Sequence, residues 1–299
     1  MIPPDATAWT IRQRKEPFAR LHRVGVGGFR RVIVVGAAIL SLAAHASAAG
    51  ATNASVVAGT NAEPLRSFAP PKVVNYRAPE RSYVQTNLAG WTLYLEQDLV
   101  DRHPELARAT TRRLGAKLTG VLDLLPTRTR AVLQRLPIFL MLGEESSLGG
   151  RDNGAEYFQR DAPKFWPLLD RRWSSALVIY SARNYQQLSE QWATRVLVHE
   201  LAHAWQLERW PEKQPDILAA WEHAAHTGLY THVQAVNGMV LDRAYALENQ
   251  LEYFAELSCA YFWRGEYAPF DRAALRQYDP VGFAMTEKMW GVHAAPPPP

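Results

Sequence analysis

The sequence predicts an α+β protein. Short β-prone runs gather before residue 181, amphipathic helical runs dominate after residue 189, and 47% hydrophobic with 21% charged residues suits a globular core. The 299 residues divide into a leader (1–48), a linker (49–80), a folded domain (81–292) and a short tail (293–299). Within the domain, residues 81–185 carry the strands and residues 186–292 are mostly helical.

The chain has 33 Lys and Arg against 29 Asp and Glu, and a sequence pI near 9.2. Seven of those bases (Arg12, Arg14, Lys15, Arg20, Arg23, Arg30, Arg31) and only two acids (Asp5, Glu16) precede residue 32. The rest of the chain therefore carries one more acid than base, and a nucleic-acid partner loses its electrostatic support. The basic segment is followed by Val32–Ala44, thirteen uncharged and mostly apolar residues, then by Ala44-His45-Ala46 and Ala46-Ser47-Ala48. That order is the order of a secretory signal peptide, which places the mature protein outside the cytoplasm, secreted or periplasmic. As a helix the apolar run would rise only about 20 Å, too short to anchor the chain in a bilayer. Cys259 is the single cysteine, so no intrachain disulfide and no thiolate-rich metal site can form.

Residues 49–80 are rich in Ala, Ser, Pro and Asn without apolar periodicity and predict a flexible linker. Gly90–Glu96 alternates like a strand; His103–Leu125 repeats its leucines at helical spacing until Pro126 ends it. A short helix around 127–136 leads to a buried-type strand at Pro137–Leu142. Residues 143–163 predict a loop and Ser175–Tyr180 a third strand. Glu190–Arg209 is a strongly amphipathic helix, Pro215–His226 a shorter one. Asn237-Gly238 marks a hairpin within Thr231–Ala246, and Glu248–Trp263 predicts a further helix.

The long helix contains His199-Glu200-Leu201-Ala202-His203. Residues four apart share a helix face, so both imidazoles can reach one cation with Glu200 beside them. Val196–Val198 before the motif and Ala204-Trp205 after it predict burial, and buried polar groups need partners, of which a metal is one. Neutral imidazoles and room for a water suit Zn2+, which acidifies that water so that an adjacent carboxylate can remove its proton during attack on a carbonyl.

A catalytic zinc needs a third protein ligand. Gln206 and Arg209 stand where a metzincin would have glycine and histidine, which leaves two glutamates. Glu222, nineteen residues past His203, is one; Glu252, in a later helix, is the other. Asn249, Glu252 and Glu256 form a polar stripe among Leu251, Tyr253, Phe254, Ala255 and Leu257. Two carboxylates buried together require a cation or donors, which favours Glu252 as ligand and Glu256 as acceptor of a ligand histidine's second ring N–H.

The HELAH motif followed by Tyr245-Ala246-Leu247-Glu248-Asn249-Gln250-Leu251-Glu252-Tyr253-Phe254-Ala255-Glu256 resembles the gluzincin metallopeptidases, and within them the anthrax-lethal-factor-like catalytic domains. The similarity covers roughly residues 175–265. It implies zinc on His199, His203 and Glu252, Glu200 as general base and Tyr245 as donor to the oxyanion. It also implies a zincin-like fold: a small mixed sheet with an edge strand on the metal-binding helix, and a mostly helical C-terminal part. Ser175–Tyr180 is either that edge strand, able to bind an extended peptide, or a central strand.

The resulting expectation is an exported zinc peptidase acting on a peptide or protein substrate. The alternative is a zinc-stabilised binding or toxin-like protein with little turnover, which has no evident use for Glu200. Cys259 and the pair His223 and His226 are expected to be a packed thiol and surface histidines.

Overall fold

Alternation decides how the first half of the chain is buried. In the computed structural model, which describes residues 73–292, five strands form one mixed sheet. They are β1 (Tyr83–Leu88), β2 (Trp91–Glu96), β3 (Ile138–Leu140), β4 (Ala155–Phe158) and β5 (Ala176–Ile179), ordered β1-β2-β3-β5-β4. The three central strands run parallel, while β1 and β4 lie antiparallel to their neighbours at the two edges. Trp91, Leu93, Leu95, Ile138, Leu140, Leu177 and Ile179 point to the helical side, into the main core. Tyr94, Phe139, Ala176 and Val178, one residue out of phase, point to a smaller aromatic core on the other face.

Ten helices follow or interrupt the strands among the described residues. They are α1 (Gln97–Arg102), α2 (Pro104–Leu124), α3 (Arg130–Leu133), α4 (Ala162–Phe165), α5 (Ala182–Gln187), α6 (Glu190–Arg209), α7 (Pro215–His226), α8 (Gln250–Phe262), α9 (Arg272–Tyr278) and α10 (Pro280–Trp290). A hairpin of β6 (Thr231–Gln234) and β7 (Val240–Arg243) separates α7 from α8. None of these helices is long and apolar enough to cross a membrane. The molecule is thus α+β with a small mixed sheet and a helical second half.

Ser189 caps α6 by accepting from Trp192 N–H, and the helix packs on α2, α8 and β4. At the far end, buried Asp279 accepts from the hydroxyls of Tyr253 (2.6 Å) and Tyr230 (2.9 Å) and from Gly282 N–H (2.8 Å). This holds α8 against α10 so closely that a Cβ at Gly282 would fall 2.3 Å from the Tyr253 hydroxyl oxygen.

Ser175–Tyr180 supplies β5, the central of its two alternatives, an interior strand paired on both sides. Three expectations need correction. The 143–163 loop contains β4, which is the edge strand beside α6. Residues 73–80, expected as linker, are partly docked: Tyr76 is buried with its ring centroid 4.7 Å from that of Trp173 and accepts from Arg151 N–H. Asn249 is not part of the polar face of α8 but its N-cap, its Oδ1 accepting from Leu251 and Glu252 N–H at 2.8 and 3.0 Å. The signal peptide, the linker up to residue 72 and the 293–299 tail lie outside the described residues.

On β4, Glu156 points to the aromatic face and is buried, accepting from the Tyr180 hydroxyl at 2.8 Å with Arg151 Nη1 at 3.3 Å. Burial pushes its carboxyl up from 4.5 to about 7, although Tyr180 and Arg151 pull the other way. Between those values the folded protein holds a proton the unfolded chain has lost, so this group lowers stability as pH rises through the window. Urea denaturation should therefore show Glu156→Gln gaining on wild type by roughly 3 kcal/mol from pH 4.5 to pH 8. A stability difference that does not change with pH would contradict this account of Glu156.

Candidate metal centre

The candidate site lies between α6 and α8, with β4 alongside. His199, Glu200 and His203 come from the middle of α6, where the flanking Leu197, Val198, Leu201 and Ala202 are all in the core. Glu252 comes from the first turn of α8, set in place by the Asn249 cap. All four side chains are buried, with His199 at 3% exposure and the other three at 1%.

His199 Nε2 lies 3.1 Å from Glu252 Oε2 and 3.1 Å from His203 Nε2, and His203 Nε2 lies 3.4 Å from the same carboxylate oxygen. One atom from each residue thus converges on a common point, and the triad can hold a metal ion. Glu222, the other sequence candidate, is exposed on α7 and belongs to no such group among the described residues; its neighbours His223 and His226 are exposed as well.

Behind the triad, Glu256 Oε1 stands 2.9 Å from His199 Nδ1, the position expected of a group that orients a ligand ring. Glu256 also meets Arg195, whose Nη2 is 2.6 Å from both carboxylate oxygens, and it accepts from the Tyr267 hydroxyl. Neither His199 Nδ1 nor His203 Nδ1 makes an aligned hydrogen bond among the described residues, and only the former has a carboxylate facing it. Cys259 is buried, its thiol directed at the Arg195 carbonyl 3.7 Å away, and it is not among the three converging ligands.

Glu200 is placed differently from the ligands. Its Oε2 accepts the Tyr157 N–H of β4 at 2.8 Å, whereas Oε1 has no hydrogen-bond partner among the described residues. Tyr157 is held in turn by its hydroxyl, which donates to Glu208 on α6 at 2.5 Å. Tyr245 starts the short 3-10 turn Tyr245–Leu247 after β7. Its ring stacks near His199, centroids 6.3 Å apart, and its hydroxyl is hydrogen bonded to Glu252.

Electrostatics follow from burial and pairing. Burial opposes ionisation of Glu252, yet His203 and His199 hold its carboxyl well below the usual range. Burial likewise opposes Glu256, which Arg195 and His199 bring down to about 2. Glu200, with no such partner on Oε1, is pushed up by burial to about 8. Burial, followed by the negative charge of Glu252, raises the Tyr245 hydroxyl, which stays protonated and able to donate.

Arg195, Tyr267 and Tyr157 were not apparent from the sequence as site residues. Arg195 had a usable signal, since it stands one turn before His199 on the same helix face. The other two arrive through tertiary contacts alone.

Comparison with known proteins adds no relative: no protein-family model matches the chain, and no curated protein or solved structure does.

If the triad is the metal centre, the full chain should take up about one divalent ion, and Glu252→Ala should lose it while Glu222→Ala keeps it. Metal content after gel filtration checks this. Loss in Glu222→Ala alone would transfer the third ligand to α7.

Proposed function

We propose that this protein is an exported zinc-dependent peptidase of gluzincin type, with a zincin-like fold, hydrolysing peptide bonds in a peptide or protein substrate. The observation that carries the reading is the spacing of the triad. Ligands at about 2.0 Å from a tetrahedral zinc stand about 3.3 Å apart. The three donor atoms here are 3.1, 3.1 and 3.4 Å apart. Two imidazoles with one carboxylate is a donor set that zinc accepts readily, and three protein ligands leave a coordination position open, whereas closed structural sites use four. When bound, the ion supplies Lewis acidity, acidifying a water and polarising a carbonyl.

The chain's own groups supply the remainder. Once the carboxyl has lost the proton that burial favours, which a cation bound at the adjacent triad would promote, Glu200 Oε1 is the atom able to take a proton from the attacking water and return it to the departing amine, while Oε2 stays anchored to β4. Tyr245 donates its hydroxyl hydrogen to the oxyanion, exchanging its bond to Glu252 for one to the substrate. An extended peptide aligned with the outer edge of β4 would pass the same face from which Tyr157 N–H reaches Glu200.

The depth of the triad favours a second reading, a metal-stabilised binding protein with little turnover, because every ligand is nearly inaccessible. Glu200 separates the two. Purified full chain should cleave a quenched fluorescent peptide, and Glu200→Gln should lower kcat/KM by roughly 100- to 10,000-fold with zinc content unchanged. Tyr245→Phe should lower kcat by on the order of 100-fold with little change in KM. A zinc-loaded wild type without turnover, or a fully active Glu200→Gln, would favour the binding protein.

A further inference from the structure

A histidine ligand must offer a lone pair on one ring nitrogen, so its proton has to sit on the other, and something must accept it. For His199 the group facing that nitrogen is Glu256, its Oε1 at an ion-pair distance of 2.9 Å from Nδ1 though not aligned as a hydrogen bond in this structure. A carboxylate held only by that ring could pivot about its own side-chain torsions and carry the ring with it. Glu256 is not held in that way. Arg195 Nη2 sits 2.6 Å from both of its oxygens, and the two side chains are each 4% exposed.

The arginine is itself fixed. Its guanidinium carbon lies 5.0 Å from the centre of the Trp192 ring, and Glu266 Oε2 is 3.7 Å away on the same guanidinium nitrogen. Helical spacing lines these groups up. Arg195 precedes His199 by one turn on α6, and Glu252 precedes Glu256 by one turn on α8, so nitrogen-bearing side chains on one helix alternate with carboxylates on the other.

We propose that Arg195 is a positioning residue for the metal centre: it locks the Glu256 carboxylate so that His199 keeps its proton on Nδ1 and aims Nε2 at the point shared with His203 and Glu252. The inference rests on the zinc reading but not on peptidase activity. Arginine suits the task because it cannot lose its charge and holds its donors in a rigid plane, which the flexible ammonium of lysine does not. Removing it would leave Glu256 a buried anion that has lost its one cationic partner, with His199 and Tyr267 as its remaining polar neighbours.

The test compares the full chain with Arg195→Gln and Arg195→Lys. Zinc affinity is read by competition with a chromophoric chelator, and the His199 Nδ1–H by its downfield, exchange-protected proton signal in the zinc-loaded protein. Arg195→Gln is expected to bind zinc roughly 10- to 100-fold more weakly and to lose that protected Nδ1–H signal. Arg195→Lys should recover only part of the affinity. A folded Arg195→Gln with wild-type affinity and Nδ1–H signal overturns the proposal, even if its Tm is lower, since that is what a merely structural arginine would give. If Arg195→Gln does not fold, the lysine variant decides, and an affinity equal to wild type overturns the proposal. A wild-type chain that binds no zinc removes the metal centre itself, an outcome separate from any difference among the Arg195 variants.

Discussion

Two helices, α6 and α8, meet along a face where charge alternates, running Arg195, Glu256, His199, Glu252 and His203 from one end to the other. Each carboxylate lies between two nitrogen-bearing side chains, and each is buried. Neither would be tolerable alone, because an isolated carboxylate loses several kcal/mol of hydration on entering the core. Pairing across the helices offsets that loss only in one register. A shift of α8 by a single residue would rotate Glu252 and Glu256 about 100° away from the imidazoles. The rest of the helical half holds that register: Asn249 starts α8, and Asp279, the N-cap of α10, fastens the first turn of α8 through Tyr253.

The sheet contributes a second constraint. Because β4 is the last strand of the sheet, its outer edge has no neighbouring strand, and Tyr157 N–H is spent on Glu200 of α6. Burial makes Glu200 hard to ionise; the charge of His199 and then the Tyr157 backbone donor offset only part of that, and one oxygen has no hydrogen-bond partner among the described residues. The contrast with Glu252 and Glu256 is instructive. All three carboxylates are buried to similar depth, yet two are driven down by facing cations and the third is driven up. Different ionisation behaviour thus follows from what each carboxylate faces rather than from residue type.

Much of the second half was legible because helices advertise themselves by a short-range period. The 3.6-residue repeat in Glu190–Arg209 fixed the helix and the shared face of His199 and His203, and Pro215–His226 was equally clear. The tail of the domain was missed. Yet Asp271 and Asp279 cap α9 and α10, and Pro280 opens the latter, so cap residues followed by apolar runs were an available signal. The four residues of β4 gave no period long enough to distinguish from a loop.

By itself the sequence determined which residues share a helix: the two histidines with Glu200, and Glu252 with Glu256, since spacing along a helix is a local property. Tertiary structure alone decided which helix faces which. Arg195 and Glu256 are 61 positions apart, Tyr157 and Glu200 43 apart, and the preference for Glu252 over Glu222 became geometry only when α8, not α7, presented its acidic face to α6. Strand order is equally non-local: β5 lies inside β4 although it follows it in the chain. Such pairings are chosen by the joint burial of whole faces, and no short window of sequence contains both partners.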